Sequence, residues 1–453
     1  MQNAECKMQN DAGDSFCTLH FEFCISFLKE YPMIETKNLL PGVTLRHCRD
    51  TRFKQGCLSF QLVRKMDKTE AAMNALLPSV LLRGTKTCPD LRSITEHLDE
   101  LYGASVSALV RRTGDYQTTG LYCGFMDDRF ALPGDQVLRP MLAFLEELLL
   151  ESPLEEGAFL PGFVESEKKN LIATIESERN DKRAYANSQL LKILCAGDSF
   201  ALPRMGEAAD VAQITPKALY DHYRHILRTS PIEIFYVGSG DMEQVAQLLM
   251  PLLNRLERSV EELPPQTALA PQEGRDVVET MDVAQGKLCM GFTVPITNRC
   301  EEFAAMQVLN VIYGSGMTSK LFQNVREKMS LCYSIGSGFY GTKGIVLVNA
   351  GIDFDKEELT RSEVLRQLQL CKEGQITEAE VRSGKEALLS SLRATHDSPS
   401  AIEGFYSTAA MGGLVYTHAG YMEAVEAVTI ADVVACANKM QLHSTYFLKG
   451  GSQ

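Results

Sequence analysis

Apolar and polar residues alternate in the same order in two successive stretches of this chain. The first opens with two β-rich runs, GVTLRHC and CLSFQLV, and the second with DVVETMDV and KLCMGFTV. Apolar residues with helical spacing follow in each, from Ala71 to Arg83 before Gly84 and from Phe303 to Tyr313 before Gly314, and a second helix comes next. Paired strands are then predicted, ASVSALVRR with YQTTGLYCGF and CYSIGSGFY with GIVLVNAGI, before a long helical tract. Those tracts place Val164, Leu171, Ile172 and Ile175, or Val381, Ala387, Leu388 and Leu392, on one face. Each stretch closes on a Thr-led helix and a final strand, PIEIFYVGSG or STYFLKGG.

The order is a repeat. Gln55-Gly56 recurs as Gln285-Gly286, Gly84 as Gly314 and Leu101 as Leu331, at one constant offset and without a gap. Strands that follow one another without a crossover helix pair antiparallel, and helices cover the resulting sheet. The expected fold is therefore α+β, with two homologous domains that each lay helices on a mainly antiparallel sheet. The first spans 33–255 and the second 276–453. Between them, 256–275 contains ELPPQTALAPQE, a Pro-rich stretch without a period that reads as an exposed linker. Residues 1–32 lack the basic n-region of a secretory signal and are expected to form a poorly ordered extension.

Lys+Arg 45 against Asp+Glu 58 gives a net charge of −13, which repels phosphate backbones and anionic leaflets and speaks against a nucleic-acid partner. The longest apolar run, Ala75 to Leu82, is far below the roughly 20 residues a spanning helix needs, so no membrane insertion is expected. Thirteen scattered cysteines without a C-x-x-C pair read as reduced thiols and point to a cytoplasmic location.

Candidate chemistry is sparse. His222 and His225 share a helix turn, but only Asp221 accompanies them as a possible metal ligand, and the partly exposed face of a helix accounts for the pair. Glu96-His97-x-x-Glu100 reads as an amphipathic helix surface. Gly314-Ser315-Gly316 lacks the G-K-[ST] ending of a phosphate loop, and Cys332 has no helix N-terminus to lower its pKa. No cofactor is called for.

The run GSGMTSKLFQNVREKMSLCYSI at 314–335, set within a tandem repeat from about Leu39 to the C-terminus, resembles the second-domain signature of the M16 (pitrilysin/insulinase) metallopeptidases. TRFKQG, ALLPSVLLRGT and LDELYGA resemble the inactive two-domain subgroup associated with elongation factor P modification. The resemblance implies a half clamshell whose first domain would carry zinc on H-x-x-E-H, with a glutamate on the later long helix. In this chain those positions are Ala75, Pro78, Ser79 and Thr174. Alanine and proline offer no ligand atom, and zinc takes Cys, His, Asp or Glu.

The matching substrate clamp of the family, an arginine and a tyrosine, falls on Arg326 and Tyr333. Such groups can donate to an oxygen that gains negative charge. The expectation is a non-catalytic subunit that lends Arg326 and Tyr333 to an active paralogue carrying H-x-x-E-H, in a heterodimer, or that forms a homodimer. An extended peptide would dock along Ser105 to Arg112. A stand-alone peptide-binding or structural assembly subunit is the rival of another class, and a hydrolase with an unrecognised site is the third reading.

Overall fold

A computed structural model describes residues 34–270 and 272–451, so the extension expected at 1–32 lies outside the described residues. The first sheet contains β1 (Ile34–Leu40), β2 (Val43–Arg49), β3 (Gln55–Lys65), β4 (Ser105–Thr113), β5 (Tyr116–Met126) and, after a two-stranded hairpin of β6 (Leu154–Glu155) and β7 (Ala158–Phe159), β8 (Ile232–Gly238). The second contains β9 (Asp276–Met281), β10 (Gly286–Thr293), β11 (Cys332–Tyr340), β12 (Ile345–Ile352) and β13 (Gln441–Gly450). Their orders are β1-β2-β8-β3-β5-β4 and β11-β12-β10-β13-β9. Once β1 is set aside, the two orders are the same list, with β2, β3, β4, β5 and β8 standing for β9, β10, β11, β12 and β13.

The fold is α+β, as the strand pattern predicts, but both sheets are mixed. The last strand of each half enters between the first two and runs parallel to the first, β8 beside β2 and β13 beside β9. A long helical connection permits that return, so adjacency in sequence does not reveal it. The edge strand β1 and the Met242–Asn254 helix that follows β8 also lie beyond the predicted pattern.

The repeated glycines have a common cause. A Cβ on Gly56 would sit 2.9 Å from the Phe125 ring, and one on Gly286 would sit 2.8 Å from the Phe447 ring. In each sheet an aromatic side chain of another strand occupies the space a side chain would take.

Each sheet carries its own helices on one face, and each borrows one helix from the other half on the opposite face. The Lys182–Leu194 helix sets Ala186, Leu190 and Leu194 against Cys289, Leu347, Tyr446 and Leu448 of the second sheet. Reciprocally, the Pro399–Gly412 helix sets Ile402 against Cys48, Cys57 and Val237 of the first. Both borrowed helices directly follow the long helices Pro161–Glu178 and Glu378–Ala394.

Buried ion pairs pin this exchange. Glu403 accepts from Arg111 at 2.8 and 2.7 Å and from Ser59 at 2.7 Å. Lys343, whose side chain is fully buried, contacts Asp115 at 2.6 Å and Asp198 at 2.9 Å. The connecting segment is not exposed throughout, because Gln266 is buried and donates to the Thr113 carbonyl at 3.1 Å and to the Met411 carbonyl.

Candidate functional site

The helix singled out by its sequence runs Ala71–Leu81 and contains Pro78. A proline removes the hydrogen bond that its amide would give to the carbonyl four residues earlier, here that of Asn74. The sheet beneath supplies the missing donor: the Thr119 hydroxyl donates to the Asn74 carbonyl at 2.6 Å. The Asn74 side chain extends the contact. Its amide donates to Gln117 at 2.9 Å and its oxygen meets His222 Nε2 at 2.7 Å, while Gln117 donates to the Ala71 and Arg204 carbonyls. A proline inside a predicted helix was the signal that could have pointed to Thr119.

Ala75 and Pro78 are buried and Ser79 is half-buried on this helix. The neighbouring Pro161–Glu178 helix is tied to it through Arg83, whose guanidinium lies 3.3 Å from Glu167 and 5.8 Å from the Phe163 ring centroid. Thr174 on that helix is exposed, and its hydroxyl donates to the Asn170 carbonyl at 2.9 Å. Residues Ala75, Pro78, Ser79 and Thr174 therefore present two hydroxyls and no imidazole, thiolate or carboxylate, a donor set that does not fit zinc.

The other histidine candidates do not alter this. His222 is buried, not partly exposed, and it faces Asn74 instead of standing beside His225 over an open site. Burial pushes its pKa down to about 4, against the opposing pull of Glu70. Among the described residues, no three His, Cys, Asp or Glu side chains gather in a way that could hold a metal ion. Burial pushes the Cys332 thiol up to about 11, which keeps it protonated and unreactive at neutral pH.

Arg326 and Tyr333 flank a sharp reversal in the second half. Arg326 lies on Leu321–Lys328, a π-helical segment, with its guanidinium 4.5 Å from the Phe322 ring centroid and 3.4 Å from Glu327. The widened turn closes with the Met329 amide on the Asn324 carbonyl at 3.1 Å, and Ser330 then takes a φ of 51°. π-Turns and left-handed non-glycine residues are uncommon and cluster at functional sites.

Tyr333 follows on the edge strand β11. Its ring is 63% exposed, and its hydroxyl donates to Asp353 at 3.0 Å. Both side chains thus reach solvent, each with partners inside the second half. Neither makes a hydrogen bond or ion pair with the Ala71–Leu81 helix among the described residues.

A profile described as "Peptidase M16 inactive domain" matches residues 213–388. The chain is 31% identical over 416 residues to the "Probable inactive metalloprotease YmfF" of Bacillus subtilis, an alignment that covers 92% of this chain and 98% of that protein. The crystal structure of a conserved protein from Enterococcus faecalis superimposes with a TM-score of 0.83 at 26% identity, over 93% of this chain and 99% of that one. A protease from Helicobacter pylori shares the fold, with a TM-score of 0.77 at 16% identity over 92% of this chain and 100% of that one. Among the described residues, no helix is long and apolar enough to cross a membrane.

Proposed function

Because this chain belongs to the peptidase M16 family, we propose that it is a non-catalytic member in which Ala75, Pro78, Ser79 and Thr174 stand at the family's zinc positions, and that it serves as partner subunit to a zinc-bearing paralogue. In this reading Arg326 and Tyr333 bind an extended peptide and steady its scissile carbonyl at the metal of the other chain. One observation carries it: the Ala71–Leu81 helix accommodates Pro78 with a dedicated donor in Thr119, while Tyr333 is exposed and Arg326 is half-exposed.

A buried carbonyl with a fitted donor is a settled structural feature. A large aromatic ring left 63% in solvent has no folding advantage of its own and is available to a partner or a substrate. The name of the Bacillus subtilis relative supports loss of hydrolysis, and says nothing of a partner.

The deciding experiment reconstitutes this chain with a paralogue that retains H-x-x-E-H and follows peptide cleavage. Activity of the pair should exceed that of the paralogue alone, and Arg326→Ala or Tyr333→Phe should remove the gain. A chain that forms a stable homodimer and leaves the paralogue's activity untouched would instead favour a stand-alone binding or assembly role.

A further inference from the structure

β4 is the outer strand of the first sheet, so one side of its backbone has no strand partner. A groove of about 400 Å³ follows it from Ser107 to Arg111 and reaches Arg204. Arg204 already donates to the Val110 carbonyl on that free side, at 3.4 Å. An extended chain can pair with such an edge through its own amides and carbonyls, and side-chain pockets along the edge then set the preference.

Arg204 also lines a second cleft, of about 610 Å³, that begins where β4 reaches Arg112. The cleft is unusual for a chain of net charge −13, because Arg112, Arg179, Lys192 and Arg204 all line it. Lys192 is matched by Glu207 at 3.0 Å. The three guanidinium groups are not matched: among the described residues, none of them has a carboxylate within ion-pair distance, although the exposed Glu176 and Glu178 also line the cleft.

Arg112 is the informative one. Partly buried, it is held by two backbone carbonyls, Phe200 at 3.0 Å and Leu202 at 2.6 Å, with its plane 4.2 Å from the Phe200 ring centroid. Asp198, the acid within its electrostatic reach, is committed to Lys343. Burial accordingly pushes the Arg112 pKa down from its ordinary value. A fixed, desolvated guanidinium without a counter-charge costs folding free energy, and a carboxylate arriving from outside would recover it.

We infer that this cleft takes a carboxylate of an extended acidic peptide whose backbone pairs with β4, either an Asp or Glu side chain or a free C-terminus. The inference rests on the peptide-handling role proposed above and specifies its substrate class. The planar fork of Arg112, with Arg204 able to swing from Val110, suits bidentate recognition of that group.

Fluorescence anisotropy on the full chain can test it with labelled extended peptides in matched sets: Glu against Gln at each position, and free acid against C-terminal amide. The unmodified chain should lose about tenfold in affinity when the recognised carboxylate is neutralised. Which of the two substitutions causes the loss identifies the source. Arg204→Glu, at an exposed position, should abolish the discrimination between the acidic and the neutral peptide.

Equal binding of acidic and neutral peptides by the unmodified chain overturns this inference and leaves the peptide-handling role standing. Failure to bind any peptide, alone or with the zinc-bearing paralogue, overturns both. Arg112→Lys offers a control against misfolding: it keeps the charge and loses the fork, so the carboxylate preference should shrink in a chain of unchanged helicity.

Discussion

Thr119 in the first sheet and Asn74 in the Ala71–Leu81 helix are joined by a 2.6 Å hydrogen bond from hydroxyl to carbonyl, at the one carbonyl that Pro78 leaves without a helical donor. Both residues are fully buried, so no water can replace the hydroxyl. Thr119→Val should destabilise the chain by about 1–3 kcal/mol, the cost of an unsatisfied buried carbonyl. In a Pro78→Ala background the restored amide serves Asn74, and the same substitution should cost about 1 kcal/mol less. Denaturant unfolding of the four chains measures this coupling, and a coupling of zero would show that the bond does not compensate the proline.

Zinc should be absent from the purified chain at stoichiometric level, and a chelator should leave its thermal midpoint unchanged. The prediction follows from donor chemistry at Ala75, Pro78, Ser79 and Thr174, where two hydroxyls, one of them bonded to Asn170, are all that is offered. Elemental analysis of the metal content decides it. A single tightly held zinc ion per chain would refute this reading of the Ala71–Leu81 helix.

Much of this was legible in the sequence because the repeat is local. Gly56 and Gly286 mark matching strands, and the Phe303–Tyr313 helix and β11 have the bounds that the apolar pattern predicts. What the pattern could not carry was long-range partnership. The parallel entry of β8 beside β2, and the loan of one helix to the far sheet in each direction, depend on surfaces that meet only in three dimensions. At the candidate site the lack of a ligand atom on Ala75 and Pro78 was readable, since absence of a donor atom needs no coordinates. The burial of His222 against Asn74 was not, because a histidine on an amphipathic helix looks the same whether the sheet offers it a partner or not.

Arg326→Ala and Tyr333→Phe should leave the isolated chain's stability within about 0.5 kcal/mol of the parent. Arg326 has only an exposed pair with Glu327 and a stacked Phe322 to lose, and the Tyr333 hydroxyl reaches an exposed Asp353. Thermal unfolding of the two variants checks this. A large loss of stability would make both residues structural and remove the basis for assigning them to a substrate or a partner.

Stability should fall as pH drops from about 6.5 towards 4. Burial pushes His222 down to about 4, and burial together with His418 and Arg52 does the same to His396. In the unfolded chain both titrate near their ordinary value, so within that window the unfolded state holds more protons and is favoured as they accumulate. The stabilisation is complete above the unfolded value and declines until the folded value is reached. Each histidine contributes a slope of up to about 1.4 kcal/mol per pH unit. Denaturant unfolding at pH 7, 6 and 5 should show the decline, and His222→Gln should make it shallower without removing it, because burial also holds His396 and His418 down.

Lys343 joins the two halves through a buried charge. Its ammonium is fully buried and faces Asp115 and Asp198 of the first half, and Asp115 also accepts from the Ser199 hydroxyl at 2.5 Å and the Thr267 amide at 2.8 Å. Burial alone would raise the Asp115 carboxyl, but the bonds from Lys343, Ser199 and Thr267 outweigh it and hold the group below the usual carboxylate range. Lys343→Met removes the cation and leaves two carboxylates facing each other in a low dielectric. At neutral pH the loss should be about 3–5 kcal/mol.

The sign of the pH dependence separates this from a simple packing defect. In the parent, the depressed Asp115 contributes stability that is present above the unfolded carboxylate pKa and lost only as pH falls through the folded value. In the variant the carboxyls are pushed upward instead, so lowering the pH from 7 to 5 lets one of them take a proton and relieves the repulsion. The gap between parent and variant should therefore narrow on mild acidification, and adding Asp198→Asn to Lys343→Met should narrow it already at pH 7. A gap that stays constant across this range would mean that Lys343 acts through its packing and not through its charge.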